Sequence, residues 1–203
     1  MSGLPHGTVL GPLFFLIYIN DISNNLSKGT TIRLFADDSL LYRSIKNEEG
    51  CRILQKDLNT LQSWEAKWKM ECPPEKCQVL KITNKVKYVK YNYFIHNVKL
   101  LEVESAKYLG VIIDNKLKWQ KQNTNVCRKA NSLLSFLQRN LYNCPLNVKN
   151  TCYKAIVRPV LEYGCSVWDL HHQVHIQNLE KVQKRAARFA TNKLQNGDWK
   201  HKS

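Results

Sequence analysis

The chain is 203 residues long, 43% hydrophobic and 10% aromatic, with 31 Lys and Arg against 16 Asp and Glu for a net charge of +15. That apolar and aromatic content excludes a wholly disordered chain, and the longest apolar run, residues 13–19, is far short of the ~18–20 residues that cross a bilayer. Seven cysteines without a Cys-x-x-Cys pair, and residues 1–12 without a basic start, give the expectation of a reduced intracellular protein, nuclear or cytoplasmic, with no signal peptide or membrane span.

In chain order, Gly3, Pro5, Gly7, Gly11 and Pro12 mark a loop and turn that opens a helix over 13–20. That helix is apolar on nearly every face and is expected to be buried. Residues 24–30 read as loop. Two apolar strands, 31–35 and 39–43, flank the acidic turn Ala36-Asp37-Asp38. Leu54, Leu58, Leu61, Trp64 and Trp68 recur at helical spacing within 52–70, and Pro73 and Pro74 end that helix. Stretches 77–83, 88–96, 98–103 and 107–113 read as short strands rich in Val, Ile and Tyr.

Beyond Trp119 the pattern turns helical. Val126, Ala130, Leu133, Leu134, Leu137 and Leu141 mark one helix, 148–158 a second that stops near Pro159, and Ile176, Leu179, Val182, Ala186 and Phe189 a third. The charge shifts at the same place: residues 1–40 carry 2 basic and 3 acidic side chains, 41–115 carry 13 and 9, and 116–203 carry 16 and 4. The expected fold class is therefore α/β (α+β) in two regions, 1–118 and 119–203, with a polyanion held against the basic region. The last eight residues are expected to fray.

Asp37 and Asp38 are adjacent carboxylates between strands that read as buried, and Phe35 and Ala36 are not turn formers. A solvated Asp-Asp turn is the plain alternative. Held out of bulk water, such a pair needs a cation, and a divalent ion on two carboxylates is what phosphoryl transfer requires.

The segment Gly3-Leu4-Pro5-His6-Gly7-Thr8-Val9-Leu10-Gly11-Pro12, followed by Phe35-Ala36-Asp37-Asp38, resembles the reverse transcriptase of non-LTR retrotransposons of the jockey and CR1 kind. The resemblance continues through Leu61 to Cys77, Lys107-Tyr108-Leu109-Gly110-Val111, Ala130 to Asn140, Val157 to Tyr163 and Glu180 to Phe189. It implies the C-terminal half of a polymerase palm, with antiparallel strands and helices, then a helical, basic thumb. It also implies RNA-directed DNA synthesis on an RNA template and a DNA primer, from deoxynucleoside triphosphates, with two magnesium ions. By the resemblance Asp37 and Asp38 are metal ligands. Gly3, Pro5, His6 and Gly7 form the loop that meets template and nucleotide, and Lys76 meets the nucleotide's phosphates. Leu109 and Gly110 form the turn that supports the primer end.

The chain departs from that pattern in three places. The family's third metal-binding aspartate lies on a strand before the glycine-rich loop, where this sequence has no residues, so the chain alone is expected to be catalytically inactive. His6 stands where the family has Gln, and Pro73 where it has Asn, removing a side chain that could brace the Lys76 loop. The alternative function is a non-catalytic nucleic-acid-binding remnant; a third is an inert fragment with an open sheet edge.

Other features carry less. Cys72 and Cys77 with His171, His172 and His175 match no common zinc spacing. Cys127, Cys144, Cys152 and Cys165 lie on or beside apolar helix faces and are expected to be core thiols, as Trp168 and Phe189 are expected to be core rings. Lys181, Lys184, Arg185 and Arg188 line one side of the last helix, either as a solvated face or as contacts to a nucleic-acid backbone.

Overall fold

The computed structural model describes residues 10–70, 72–168 and 173–191. They form two compact units that divide between Glu104 and Ser105. The glycine-rich loop residues Gly3, Pro5, His6 and Gly7, together with His171, His172 and the last eight residues, lie outside the described residues.

The first unit opens with α1 (Gly11–Ile19), which has Pro12 in its first turn, where a missing N–H costs nothing. Its expected burial is not found. Only Ile19 is buried, while Leu13, Phe14, Leu16 and Ile17 are exposed, Ile17 by 66%. Among the described residues, α1 is held chiefly on one side. Tyr18 donates to the carbonyl oxygen of Trp68 and sets its ring edge-on to Trp64 and Trp68.

A turn of 3-10 helix (Asn20–Ser23) leads to the hairpin of β1 (Thr30–Phe35) and β2 (Asp38–Arg43). The strands pair antiparallel from Thr30↔Arg43 to Phe35↔Asp38. They are half-buried rather than buried, with Phe35 63% exposed, because among the described residues this hairpin is a sheet of two strands with no third beside it.

The helix α2 (Glu48–Trp68) starts four residues before the expected start at residue 52. The Asn47 side chain caps it by accepting from the Gly50 N–H at 3.1 Å, and Glu48 and Glu49 sit in the first turn, where the helix dipole favours negative charge. Lys69 ends it in the left-handed conformation at φ 54°. The core of this unit joins Cys51 to Tyr93, Ile95 and Leu100, with Leu54, Leu58 and Val79 against them.

Of the expected run 88–96 only β4 (Phe94–Ile95) is strand, paired with β5 (Val98–Lys99). β3 (Gln78–Leu80) pairs with β6 (Leu101–Val103) in parallel, not antiparallel as expected of the palm strands. The long connection between them, holding the β4–β5 hairpin, supplies the crossover a parallel pair needs.

The second unit begins with the hairpin of β7 (Ser105–Tyr108) and β8 (Val111–Asp114), so residues 107–113 are two strands and a turn rather than one strand. Asp114 is buried and accepts from the backbone N–H groups of Lys116, Lys118 and Trp119, fixing the entry to α3 (Gln120–Asn140).

The short α4 (Leu146–Cys152) runs through a π turn (Tyr153–Val157) into α5 (Arg158–Glu162). Pro159 therefore does not stop the helix. It occupies the first turn of α5, and the widened π turn before it absorbs the missing donor. α6 (Gln173–Thr191) completes the unit. Val126, Ala130, Leu134 and Leu137 of α3 pack with Val157, Leu161, Trp168, Val182, Ala186 and Phe189 in one buried cluster, so Trp168 and Phe189 are core rings as expected. The thiols differ: Cys165 is exposed, Cys127, Cys144 and Cys152 are half-buried, and the buried cysteine is Cys51.

Candidate active site

Four features position the hairpin that carries Asp37 and Asp38. The strand register ends at Phe35↔Asp38, leaving Ala36 and Asp37 as a two-residue turn with Asp38 as the first residue of β2. Ala36 takes φ 50°, a left-handed conformation that costs a residue with a Cβ about 1–2 kcal/mol. Both aspartates are exposed. At the other end of the hairpin, buried Asp57 of α2 accepts from the Ser27 N–H at 2.8 Å and from the Thr30 hydroxyl at 2.5 Å. Arg43 donates to the same hydroxyl and to the Lys28 carbonyl, each at 2.9 Å.

Lys76 is exposed at the end of a 3-10 turn (Pro74–Lys76). The Pro73 carbonyl accepts from the Lys76 N–H at 3.0 Å and from the Cys77 thiol at 3.6 Å, so the backbone of Pro73 braces the loop that its side chain cannot. Among the described residues no hydrogen bond or ion pair joins Lys76 to either aspartate. Glu65, buried on α2, accepts from the Cys72 N–H at 2.6 Å and lies 3.1 Å from His96 Nε2. Burial, and then the Glu65 charge, push the thiols of Cys72 and Cys77 above the ordinary value, which disfavours the thiolate that a metal binds.

A magnesium site needs hard oxygen donors, and the exposed carboxylates of Asp37 and Asp38 are of that kind. Among the described residues no third His, Cys, Asp or Glu groups with them. The donor set present thus fits one side of such a site, and only one side.

In the second unit, Leu109 and Gly110 form the two-residue turn between Tyr108 and Val111, both at positive φ (44° and 83°), as a type I′ hairpin requires. Lys181, Lys184, Arg185 and Arg188 are all exposed on α6. Their engagements differ. Arg185 reaches across to α3, donating to Asn131 Oδ1, Ser135 Oγ and Gln138 Oε1 at 3.2, 3.0 and 2.9 Å. Lys184 lies 3.3 Å from Glu180 one turn away.

The model of the family described as reverse transcriptase (RNA-dependent DNA polymerase) matches residues 1–113. The chain belongs to the reverse transcriptase family. It is 28% identical over 197 residues to the probable RNA-directed DNA polymerase from transposon X-element of Drosophila melanogaster, covering 94% of this chain and 22% of that protein. It is also 28% identical over 204 residues to the probable RNA-directed DNA polymerase from transposon BS of the same organism, over 94% and 22% of the two lengths. To the RNA-directed DNA polymerase from mobile element jockey of Drosophila funebris it is 28% identical over 197 residues, over 92% and 21%. The chain thus spans about a fifth of the length of the curated relatives it matches. No solved structure matches. No helix among the described residues is long and apolar enough to cross a membrane.

Two residues of these surroundings escape a reading of the sequence. Asp57 had a signal: it falls between Leu54 and Leu61 on the apolar stripe of α2, where a carboxylate implies a buried partner. Tyr163 had none, since its partner is 54 residues away.

Proposed function

We propose that this chain is the part of an RNA-directed DNA polymerase that presents two of the metal-binding carboxylates and holds the template–primer, within a longer protein copying RNA into DNA at a mobile element. In that reaction the primer's 3′-oxygen bonds to the α-phosphorus of a deoxynucleoside triphosphate and gives up its proton. The bond from that phosphorus to the bridging oxygen breaks, and pyrophosphate leaves. The observation that carries the reading is the Ala36–Asp37 turn: a short hairpin, fastened at its open end, that exposes two adjacent carboxylates at its tip.

Asp37 and Asp38 would hold magnesium, which when bound polarises the phosphate and acidifies the attacking hydroxyl. The Lys76 ammonium, exposed and mobile, is suited to meet the charge that develops on the leaving pyrophosphate. Leu109 and Gly110 bring backbone close to the primer end. Residues 119–203 act as a thumb, with Lys181, Lys184 and Arg188 along the sugar–phosphate backbone without regard to sequence. Gly3, Pro5, His6 and Gly7 would contribute contacts to template and nucleotide.

A second reading is favoured by the carboxylate pair having no third ligand among the described residues: the chain binds template–primer and does no chemistry. Primer extension on an RNA template with magnesium separates the two. Extension that disappears in Asp37→Ala supports catalysis. Extension that survives in Asp37→Ala overturns the role of the turn. No extension by either protein, with salt-dependent binding of the duplex retained, supports the second reading.

A further inference from the structure

The turn Leu109-Gly110 is locked from the corner that follows α5. The Tyr163 hydroxyl donates to the Leu109 carbonyl at 2.7 Å, and the edge of its ring lies over Gly110, where an added Cβ would come within 3.1 Å of Tyr163 Cε1. The fit is reciprocal. Gly164, at φ +66°, accepts the side chain of Val111 so closely that a Cβ there would stand 3.1 Å from Val111 Cγ2. The corner itself is pinned from below: buried Trp168 donates its indole N–H to the Tyr163 carbonyl at 3.0 Å, and the Tyr163 N–H is held by the Pro159 carbonyl at 2.9 Å. Two glycines and two aromatic side chains thus interlock, and neither glycine position tolerates a larger residue without moving its neighbour.

Tyr163 is not placed there for its own burial. It is 56% exposed, so its ring contributes little to the core of this unit, while its polar tip is committed to one backbone carbonyl at the tip of a hairpin. We infer that Tyr163 is a positioning residue: it fixes the Leu109–Gly110 turn in the conformation that receives a recessed primer 3′ end. This rests on the reading of that turn as the support for the primer. A carbonyl tied to a phenol on a rigid corner cannot rotate freely, so the peptide plane between Leu109 and Gly110 is preset before nucleic acid arrives, and binding need not order it. The ligand implied is a duplex with a recessed primer 3′ end rather than the duplex as such.

The test compares the chain with Tyr163→Phe, which keeps the ring and removes the donor, and with Tyr163→Ala. Two quantities are measured well below the unfolding temperature. One is amide exchange over residues 108–111. The other is the ratio of Kd values for a blunt RNA–DNA hybrid and the same hybrid with a recessed primer 3′ end. The parent is expected to prefer the recessed end, and Tyr163→Phe to lose about three- to tenfold of that preference, the range for one net hydrogen bond, with faster exchange confined to the turn. A purely structural tyrosine would weaken both duplexes alike and leave the ratio unmoved. If the parent shows the preference and Tyr163→Phe keeps it whole, the inference is overturned while the reading of the turn stands. If the parent shows no preference, that reading falls and the inference with it. Should Tyr163→Ala fail to fold by circular dichroism, the Phe variant still decides.

Discussion

Replacing Asp57 by Ala is expected to release the open end of the β1–β2 hairpin. Asp57 is 1% exposed, and its two oxygens take the Ser27 N–H at 2.8 Å and the Thr30 hydroxyl at 2.5 Å. Hydrogen bonds to a buried charge are worth about 1.5–3 kcal/mol each, and the two share one carboxylate, so their sum is not additive. The Ala variant also leaves the Ser27 N–H without its acceptor. Together these put the loss at about 3 kcal/mol, which in a unit of this size lowers the unfolding temperature by roughly 10–20 °C. Asp57→Asn keeps one acceptor but turns an amide N–H₂ toward a hydroxyl that already accepts from Arg43, so about half of that loss is expected.

The assay is thermal unfolding by circular dichroism, with hydrogen exchange by mass spectrometry on peptides covering residues 27–43. The reasoning predicts faster exchange in those peptides before the global transition. A shift under about 3 °C in Asp57→Ala, with exchange at 27–43 unchanged, would refute it: the carboxylate would then be a spectator whose partners find water.

Two further outcomes follow from named contacts. Truncating Lys181, Lys184 and Arg188 should each reduce the slope of log Kd against log salt for duplex binding by about 0.7–0.9. Arg185→Ala should chiefly destabilise the unit by about 1 kcal/mol, because its guanidinium is spent on Asn131, Ser135 and Gln138; binding titrations and thermal melts of the four variants check the division. Alkaline pH should weaken the first unit. Burial, then the hydrogen bond and charge of Cys51, push the Tyr93 phenol above its ordinary value of 10.0. The folded state therefore keeps a proton that the unfolded state sheds above pH 10, and stability falls by up to about 1.4 kcal/mol per pH unit beyond that point. Tyr93→Phe should flatten this decline in urea titrations at pH 9 to 11; a decline of equal slope would place its origin elsewhere.

How much of this was legible in the sequence depended on how local its cause was. The helices α2, α3 and α6 were readable because their apolar residues recur along a single face. The first turn of α2 was not, because Asn47, Glu48 and Glu49 carry no apolar period and act by capping. The stretch 88–96 looked like strand because Val and Tyr suit half-buried surface in any backbone state. Tyr91 and Tyr93 in fact form a tilted ring pair, centroids 5.1 Å apart, against the α2 core and outside any sheet. Helix α1 was rightly seen as apolar but wrongly as buried, since periodicity reports a preference and not which element satisfies it. The acidic turn was legible as a motif, whereas Asp57 and Tyr163 act across 27 to 54 residues, and nothing in a single sequence encodes that distance.

The two turns proposed to be functional are stabilised in opposite ways, and the difference matches the proposed role of each. At Leu109-Gly110 a glycine accepts the positive φ, and a phenol from a neighbouring corner holds the shape from outside. At Ala36-Asp37 there is no glycine, and the strain of Ala36 at φ 50° is held by the hairpin itself. Five paired positions separate that strained turn from Thr30 and Arg43, where Asp57 fastens the open end to α2. A glycine at position 36 would remove the strain but widen the set of conformations open to the two carboxylates. Retaining alanine there keeps the tip stiff at a cost of about 1–2 kcal/mol, a cost the hairpin can bear only while its other end is anchored. Asp57 and the Ala36 turn are in this sense two ends of one device: a buried carboxylate sustains the backbone on which two exposed carboxylates are displayed.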